Sequence, residues 1–285
     1  MIFLSDIAAT GTLHGPTALA LLALAAACGI LSLIVLWRRW AFLGEAVAHA
    51  GFGGAGTAWM LAALVPSLDS SGIVTIGVIG FGILTALAIA VVNRGERIHS
   101  DTAIGAFLAG ALAWGFVGQE AYVRVFHRAP AGFQSLLFGQ TQLLQPLHAQ
   151  MAVALLVLTL GTLFLWRRQI LMYCLDSTLA QTGGINTGAV HYGLIVLVAV
   201  AITIGIPLVG SVLITAMLIL PGAAATLITR KFGLTILLAI TISIAGTLAG
   251  MLLNAYVFAL PQGPAIVLSL LAIFLITWAI TRRRP

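Results

Sequence analysis

The sequence predicts an all-α, polytopic membrane protein with eight or nine transmembrane helices, its N-terminus outside and its C-terminus in the cytoplasm. Three observations carry this. Only 7% of the 285 residues are charged and 61% are hydrophobic, where a soluble domain carries roughly 25% charged residues. So few charges cannot clothe a water-facing surface, and the mean hydropathy of +1.15 agrees. Basic residues gather at the ends of alternate apolar runs, which sets a single orientation. No stretch is long or polar enough for a soluble domain, so residues 1–285 read as one transmembrane domain.

Segments close to the roughly 20 apolar residues that cross a bilayer follow one another along the chain. Span 1 is about Pro16 to Trp37, closed by Arg38 and Arg39. Span 2 is about Ala41 to Leu64, followed by a turn through Pro66 and Asp69. Span 3 runs from Gly72 to Val92, closed by Arg94, Glu96 and Arg97, and span 4 from Asp101 to Val123. A more polar stretch, Arg124 to Gln142, precedes span 5, Leu143 to Trp166, which Arg167 and Arg168 close. The longest polar loop is Gln169 to Thr187. Spans 6 and 7, Ala189 to Ile206 and Pro207 to Thr229, are separated only by Gly205-Ile206-Pro207, so one of them can be re-entrant. Span 8 covers Gly233 to Leu260, and span 9, Ala265 to Thr281, ends in Arg282-Arg283-Arg284. Basic clusters after spans 1, 3, 5, 7 and 9 put those ends in the cytoplasm. Arg124 and Arg128 fall on the other side and are the exception.

The net charge of +6 and pI near 10.2 would suggest nucleic acid in a soluble protein. Here the basic residues are topology anchors beside anionic lipids, and no nucleic-acid role follows. Cys28 lies in an apolar run and Cys174 in a polar loop, without metal-type spacing. Met1 to Gly15 carry no Lys or Arg, so the positive region of a signal peptide is missing. Glycines inside spans (Gly77, Gly80, Gly82, Gly105, Gly110, Gly246, Gly250) read as close helix packing.

Ionisable groups in hydrocarbon cost about 2.5–3.5 kcal/mol even on a lenient insertion scale, so they point to function. Glu45 and His49 stand at i, i+4 on one helix face. His49 lies about 15 Å beyond Arg39, near the bilayer midplane. A carboxylate beside an imidazole suits zinc, manganese or iron; the alternative is a carboxylate–histidine pair joining two helices. Asp101 starts span 4 and fits either a helix cap or a third ligand or gate. Glu120 is expected to pair with Arg124 at the interface. Gln140, His148, His191 and Asn254 are weaker candidates, and His14, His99 and His127 are loop histidines. The only lysine is Lys231, preceded by Arg230, so no G-x-x-x-x-G-K-[ST] loop exists and the chain is not itself an ATPase. No catalytic residue is expected.

Five stretches carry a family resemblance: Trp37-Arg38-Arg39 leading to Glu45 and His49, Asp101 to Gly105, Leu137-Phe138-Gly139, Val209 to Ala225, and Gly263 to Leu268. Together they resemble the permease subunit of zinc/manganese ATP-binding-cassette importers. The resemblance implies a homodimeric pore in the bacterial cytoplasmic (inner) membrane. It further implies two cytoplasmic ATP-binding ATPase subunits and an extracytoplasmic metal-binding protein. Zinc or manganese would be cargo rather than a permanently bound cofactor, held by Glu45, His49 and Asp101. Each ATPase would receive a short helix best matched by Pro221, Gly222, Ala223 and Ala224 through Arg230 and Lys231. Proline there breaks the membrane helix or merely kinks a span. The chain departs from the family in having Glu rather than Asp at 45, and Gln at 140 where Asn or Asp is frequent. Ala109 and Ala259 stand where some members carry a histidine and an acid. Imidazole modestly favours zinc over manganese. The other function classes are a permease for an organic metal chelate and a proton-coupled secondary carrier, which often shows inverted repeats; none is seen here.

Overall fold

The computed structural model describes residues 15–65, 67, 71–94, 100–130, 146–229, 231–256 and 261–282. Expectations about His14, Glu96, Arg97, His99, Leu137-Phe138-Gly139, Gln140, Arg230 and Ala259 lie outside these residues. So do the side chains of Asp101 and His148.

The described residues are helical, in the order α1 (Gly15–Trp37), α2 (Ala41–Leu64), α3 (Ser71–Arg94), α4 (Ser100–Phe126), α5 (Pro146–Leu165), α6 (Arg167–Leu175), α7 (Ser177–Thr182), α8 (Thr187–Val209), α9 (Ser211–Ile228), α10 (Phe232–Tyr256) and α11 (Gln262–Arg282). Among them, 7 helices are long and apolar enough to cross a membrane, or 8 if the bent α5–α6 pair is one span. The polytopic all-α fold read from the sequence is therefore present. α2 has the length, at 24 residues, but is not one of the seven. Glu45, His49 and its many glycines lower its hydropathy, and neighbours cover most of it instead of lipid. It packs against α4 and α3, and also touches α8 and α9.

Two expected boundaries move. The division between spans 6 and 7 falls at Gly210 rather than at Pro207. Proline fits in the last turn of α8, whereas Gly210 has φ 83°, a left-handed conformation that glycine adopts without a Cβ clash. The stretch Gln169 to Thr187, expected as a loop, contains α6 and α7. Ile170, Tyr173 and Cys174 recur at helical spacing and are buried against the bundle. Asp176 then caps α7, accepting from the backbone N–H of Thr178 at 2.8 Å and Leu179 at 3.1 Å. α6 turns 78° away from α5. Cys174 is thus a buried helix residue, and both cysteines are free thiols.

The glycines divide into two kinds. Gly77 meets Gly54, Gly82 meets Thr203, and Gly246 and Gly250 meet Leu270 and Ile266, as close packing requires. A Cβ on Gly80, Gly105 or Gly110 would meet nothing within 4 Å, so within this chain those three do not serve packing.

Candidate metal site and its surroundings

α2 is held in place by backbone contact. A Cβ on Gly54 would overlap the Gly77 carbonyl of α3, and one on Gly118 of α4 would overlap the backbone of Gly56. Without a hydrophobic drive between helices in lipid, such close approach is what binds them. It fixes α2 axially and rotationally, and so fixes the direction of any polar side chain it carries.

Glu45 and His49 occupy the part of α2 that the bundle leaves open. Their side chains are 42% and 22% exposed, beside the exposed Phe42. His49 Nδ1 lies 3.5 Å from Glu45 Oε1. That contact is an ion-pair distance which does not close as a hydrogen bond: Nδ1 is buried and lacks a hydrogen-bond partner. The structure thus brings the two predicted residues together and leaves a nitrogen lone pair or proton unspent. The His49 ring also leans on Phe52, centroids 6.2 Å apart.

Asp101 is the second residue of α4. Gly115 packs on Phe52 and Gly118 on Gly56, so α2 and α4 run parallel. Glu45 lies in the first turns of α2 and Asp101 in the first turn of α4, at the same end of the two helices. Gly105, Ala106, Ala109 and Gly110 of α4 are exposed. Glu120 pairs with Arg124 as expected, 2.9 Å apart, with both side chains exposed. Among the described residues no three or more His, Cys, Asp or Glu side chains gather into a metal-holding group.

The segment matched to ATPase coupling sits at the end of α9. The helix runs through Pro221 to Ile228 rather than breaking there. Pro221, Gly222 and Ala224 are buried, and a Cβ on Gly222 would come within 2.8 Å of the Ser32 backbone of α1. Ala223 is half-buried, Leu227 and Ile228 are exposed, and Lys231 is exposed after the helix ends.

Two polar arrangements escaped the sequence. Trp114 Nε1 donates to Thr57 Oγ1 at 2.9 Å, and that hydroxyl donates to the Gly53 carbonyl at 2.9 Å. Neither residue is ionisable, so neither stood out. His191 Nδ1 and the Tyr173 hydroxyl share a hydrogen bond of 2.6 Å. Arg38 lies over the Tyr173 ring at 4.2 Å. A histidine, an arginine and a tyrosine spread over 154 residues give no local signal.

Comparison with known proteins places this geometry. The chain is 29% identical over 204 residues to the manganese transport system membrane protein MntC of Halalkalibacterium halodurans, covering 72% of this chain and 65% of that protein. It is 30% identical over 207 residues to the chelated iron transport system membrane protein YfeD of Yersinia pestis, covering 72% and 64%. It thus spans just under two thirds of the length of these curated relatives. The fold matches a chain of PsaBC from Streptococcus pneumoniae in complex with Fab, with a TM-score of 0.79, 26% identity and coverage of 98% of this chain and 95% of that one. The model of the ABC 3 transport family matches residues 13–281. With nearly the whole sequence matched and a multi-pass helical fold to carry it, the chain belongs to the ABC 3 transport family.

Proposed function

We propose that this chain is the membrane subunit of an ATP-driven importer for a divalent transition-metal ion, and that Glu45 and His49 form its central cargo site. The observation that carries this is the buried Nδ1 of His49, without a hydrogen-bond partner and set 3.5 Å from a carboxylate, on a helix that buries mostly alanine and glycine. Family membership and the metal systems of its relatives support metal as cargo.

Two ligands from one chain hold a dication weakly. Two copies facing each other would supply two carboxylates and two imidazoles, the four ligands that zinc takes and a start on the larger shells of manganese or iron. A homodimer with the Glu45–His49 faces opposed follows from this count. Manganese and iron are the first metals to test because the relatives' systems carry them, and zinc is the next because imidazole suits it. Asp101, at the start of the neighbouring α4, gives the ion its next carboxylate after it leaves the pair. The arginine clusters set the N-terminus outside and the C-terminus in the cytoplasm. Separate ATPase subunits dock at the end bearing Leu227, Ile228 and Lys231, and an extracytoplasmic metal-binding protein delivers the ion. This chain hydrolyses nothing itself.

The test is uptake of radiolabelled manganese, iron and zinc into proteoliposomes holding the chain with its ATPase and binding protein. His49→Ala and Glu45→Gln are expected to lower ATP-dependent uptake at least a hundredfold, about 2.8 kcal/mol at 1.4 kcal/mol per decade, while assembly with the ATPase persists. Uptake unchanged in both variants would reduce the pair to a structural contact. Uptake that proceeds without ATP would point to a proton-coupled carrier instead.

A further inference from the structure

The chain passes from α1 to α2 through three residues, Arg38, Arg39 and Trp40. Arg39 takes a left-handed φ of 57° without being glycine, and the Trp40 N–H donates to the Val35 carbonyl at 2.8 Å. The turn is therefore tight and tied back to α1. It is also tied outward in three directions. The Trp37 ring stacks on Phe232, centroids 5.4 Å apart and planes 26° apart. Phe232 opens α10, directly after the Arg230-Lys231 end of the ATPase-matched segment. Arg38 lies 4.2 Å over the Tyr173 ring and donates from Nη1 to the Tyr173 carbonyl at 3.3 Å, holding α6. Trp40 meets the His191 ring edge-on at 5.5 Å. His191 opens onto α8 and shares the 2.6 Å hydrogen bond with Tyr173, so the second and third ties are joined.

On the other side of the turn α2 starts at Ala41, and Glu45 and His49 follow one and two helical turns later. α2 is gripped by backbone contact with α3 and α4, so its polar side chains move only when the whole helix moves. Trp37 carries a contact from the α9–α10 end to the residue just before the turn, beside the direct packing of α9 on α2, and the seating of Gly222 on Ser32 of α1 reinforces it. Aromatic stacking and a cation–π contact hold these elements in preferred relative geometries. The α1–α2 turn has what a mechanical link needs: firm attachment at both ends and little length to absorb strain.

Resting on the transport function proposed above, we infer that Trp37 and Arg38 are positioning residues for transport. The turn they form transmits displacement of the α9–α10 segment and of α6 to the helix that presents Glu45 and His49. Neither side chain touches the metal; each acts through the placement of α2.

The experiment compares wild type, Trp37→Ala, Arg38→Gln and Trp37→Phe in proteoliposomes with the ATPase and binding protein. It reads manganese, iron and zinc uptake, ATP hydrolysis, and binding of the same metals to the detergent-purified chain. Trp37→Ala and Arg38→Gln are expected to lower the metal ions moved per ATP hydrolysed at least tenfold. Hydrolysis and metal binding should stay within twofold of wild type. Trp37→Phe, which keeps a ring for Phe232, should restore most of the ratio. Parallel loss of uptake and hydrolysis would overturn the inference, because a merely structural turn would act that way. An unchanged ratio, or loss of metal binding, would overturn it too. A wild type that hydrolyses ATP but moves no metal would overturn the transport function together with this link. A working wild type with unaffected variants would overturn the link alone.

Discussion

α1 and α2 are consecutive, nearly equal in length and both largely buried, yet they are built by opposite means. α1 fills the interior with side chains: Leu21, Leu24, Ile30, Leu31 and Leu33 are all fully covered. α2 buries mostly alanine and glycine and brings its backbone against its neighbours, leaving Glu45 and His49 partly open. They barely touch each other, packing into different sides of the bundle. A helix held by side chains can absorb small changes by rotamer adjustment. A helix held by backbone contact cannot, and it presents its few polar groups with little play. The difference shows how one bundle can contain both a tolerant filler and a fixed platform for polar side chains.

Substitutions can sharpen that contrast, and the largest effect belongs to α2. Gly54→Leu drives a side chain into the Gly77 carbonyl and should abolish the folded, monodisperse protein on size-exclusion chromatography in detergent. A folded Gly54→Leu protein with wild-type thermal stability would break the comparison. Leu24→Ala in α1 should be milder, a loss of about 1–3 kcal/mol in unfolding free energy. That is the cavity part of a Leu→Ala cost, since transfer to water contributes little in lipid. Within α3 the same logic separates two glycines one turn apart. Gly77→Ala forces its Cβ to 2.6 Å from the Gly54 carbonyl oxygen, whereas Gly80→Ala enters open space and should raise helix stability by up to about 1 kcal/mol. Equal melting temperatures for the two variants would contradict the backbone-contact account.

The smallest effect concerns a thiol outside the spans. Burial pushes Cys174 of α6 up to about 11, against the nearby Arg38, which pulls the other way. Thiolate is the reactive form, so at pH 8 roughly one molecule in a thousand is reactive there, against about a quarter for a free cysteine near 8.5. Maleimide labelling of Cys174 should climb about tenfold per pH unit beyond pH 9 rather than level off. A plateau near pH 9 would mean that the Tyr173–Cys174 face of α6 is open to water.

Much of this was legible in the amino-acid order. Apolar runs punctuated by arginines gave the helices, and the i, i+4 spacing of Glu45 and His49 gave their pairing, because both signals are local. Glu120 and Arg124 paired for the same reason; exposed as they are, they contribute at most about 1 kcal/mol. What was not legible depends on distant neighbours. Nothing around Gly54, Gly80 or Gly105 tells which one meets another backbone. Pro221 reads as either a break or a kink, and only the fold shows α9 running through it to Ile228. Arg38 reads as a topology anchor at the end of span 1, and only the fold lays it over Tyr173. Asp101 reads equally as a helix cap or as a third ligand or gate, because sequence gives no register between α2 and α4.

The glycine contacts that join α2 to α3 and α4 have a further consequence. Helices whose carbonyls interlock cannot slide or tilt past one another without collision, so the trio behaves as one rigid body. α2, α3 and α4 therefore keep their mutual angles whatever the rest of the bundle does, and Glu45 and His49 keep their place on that block instead of shifting within it.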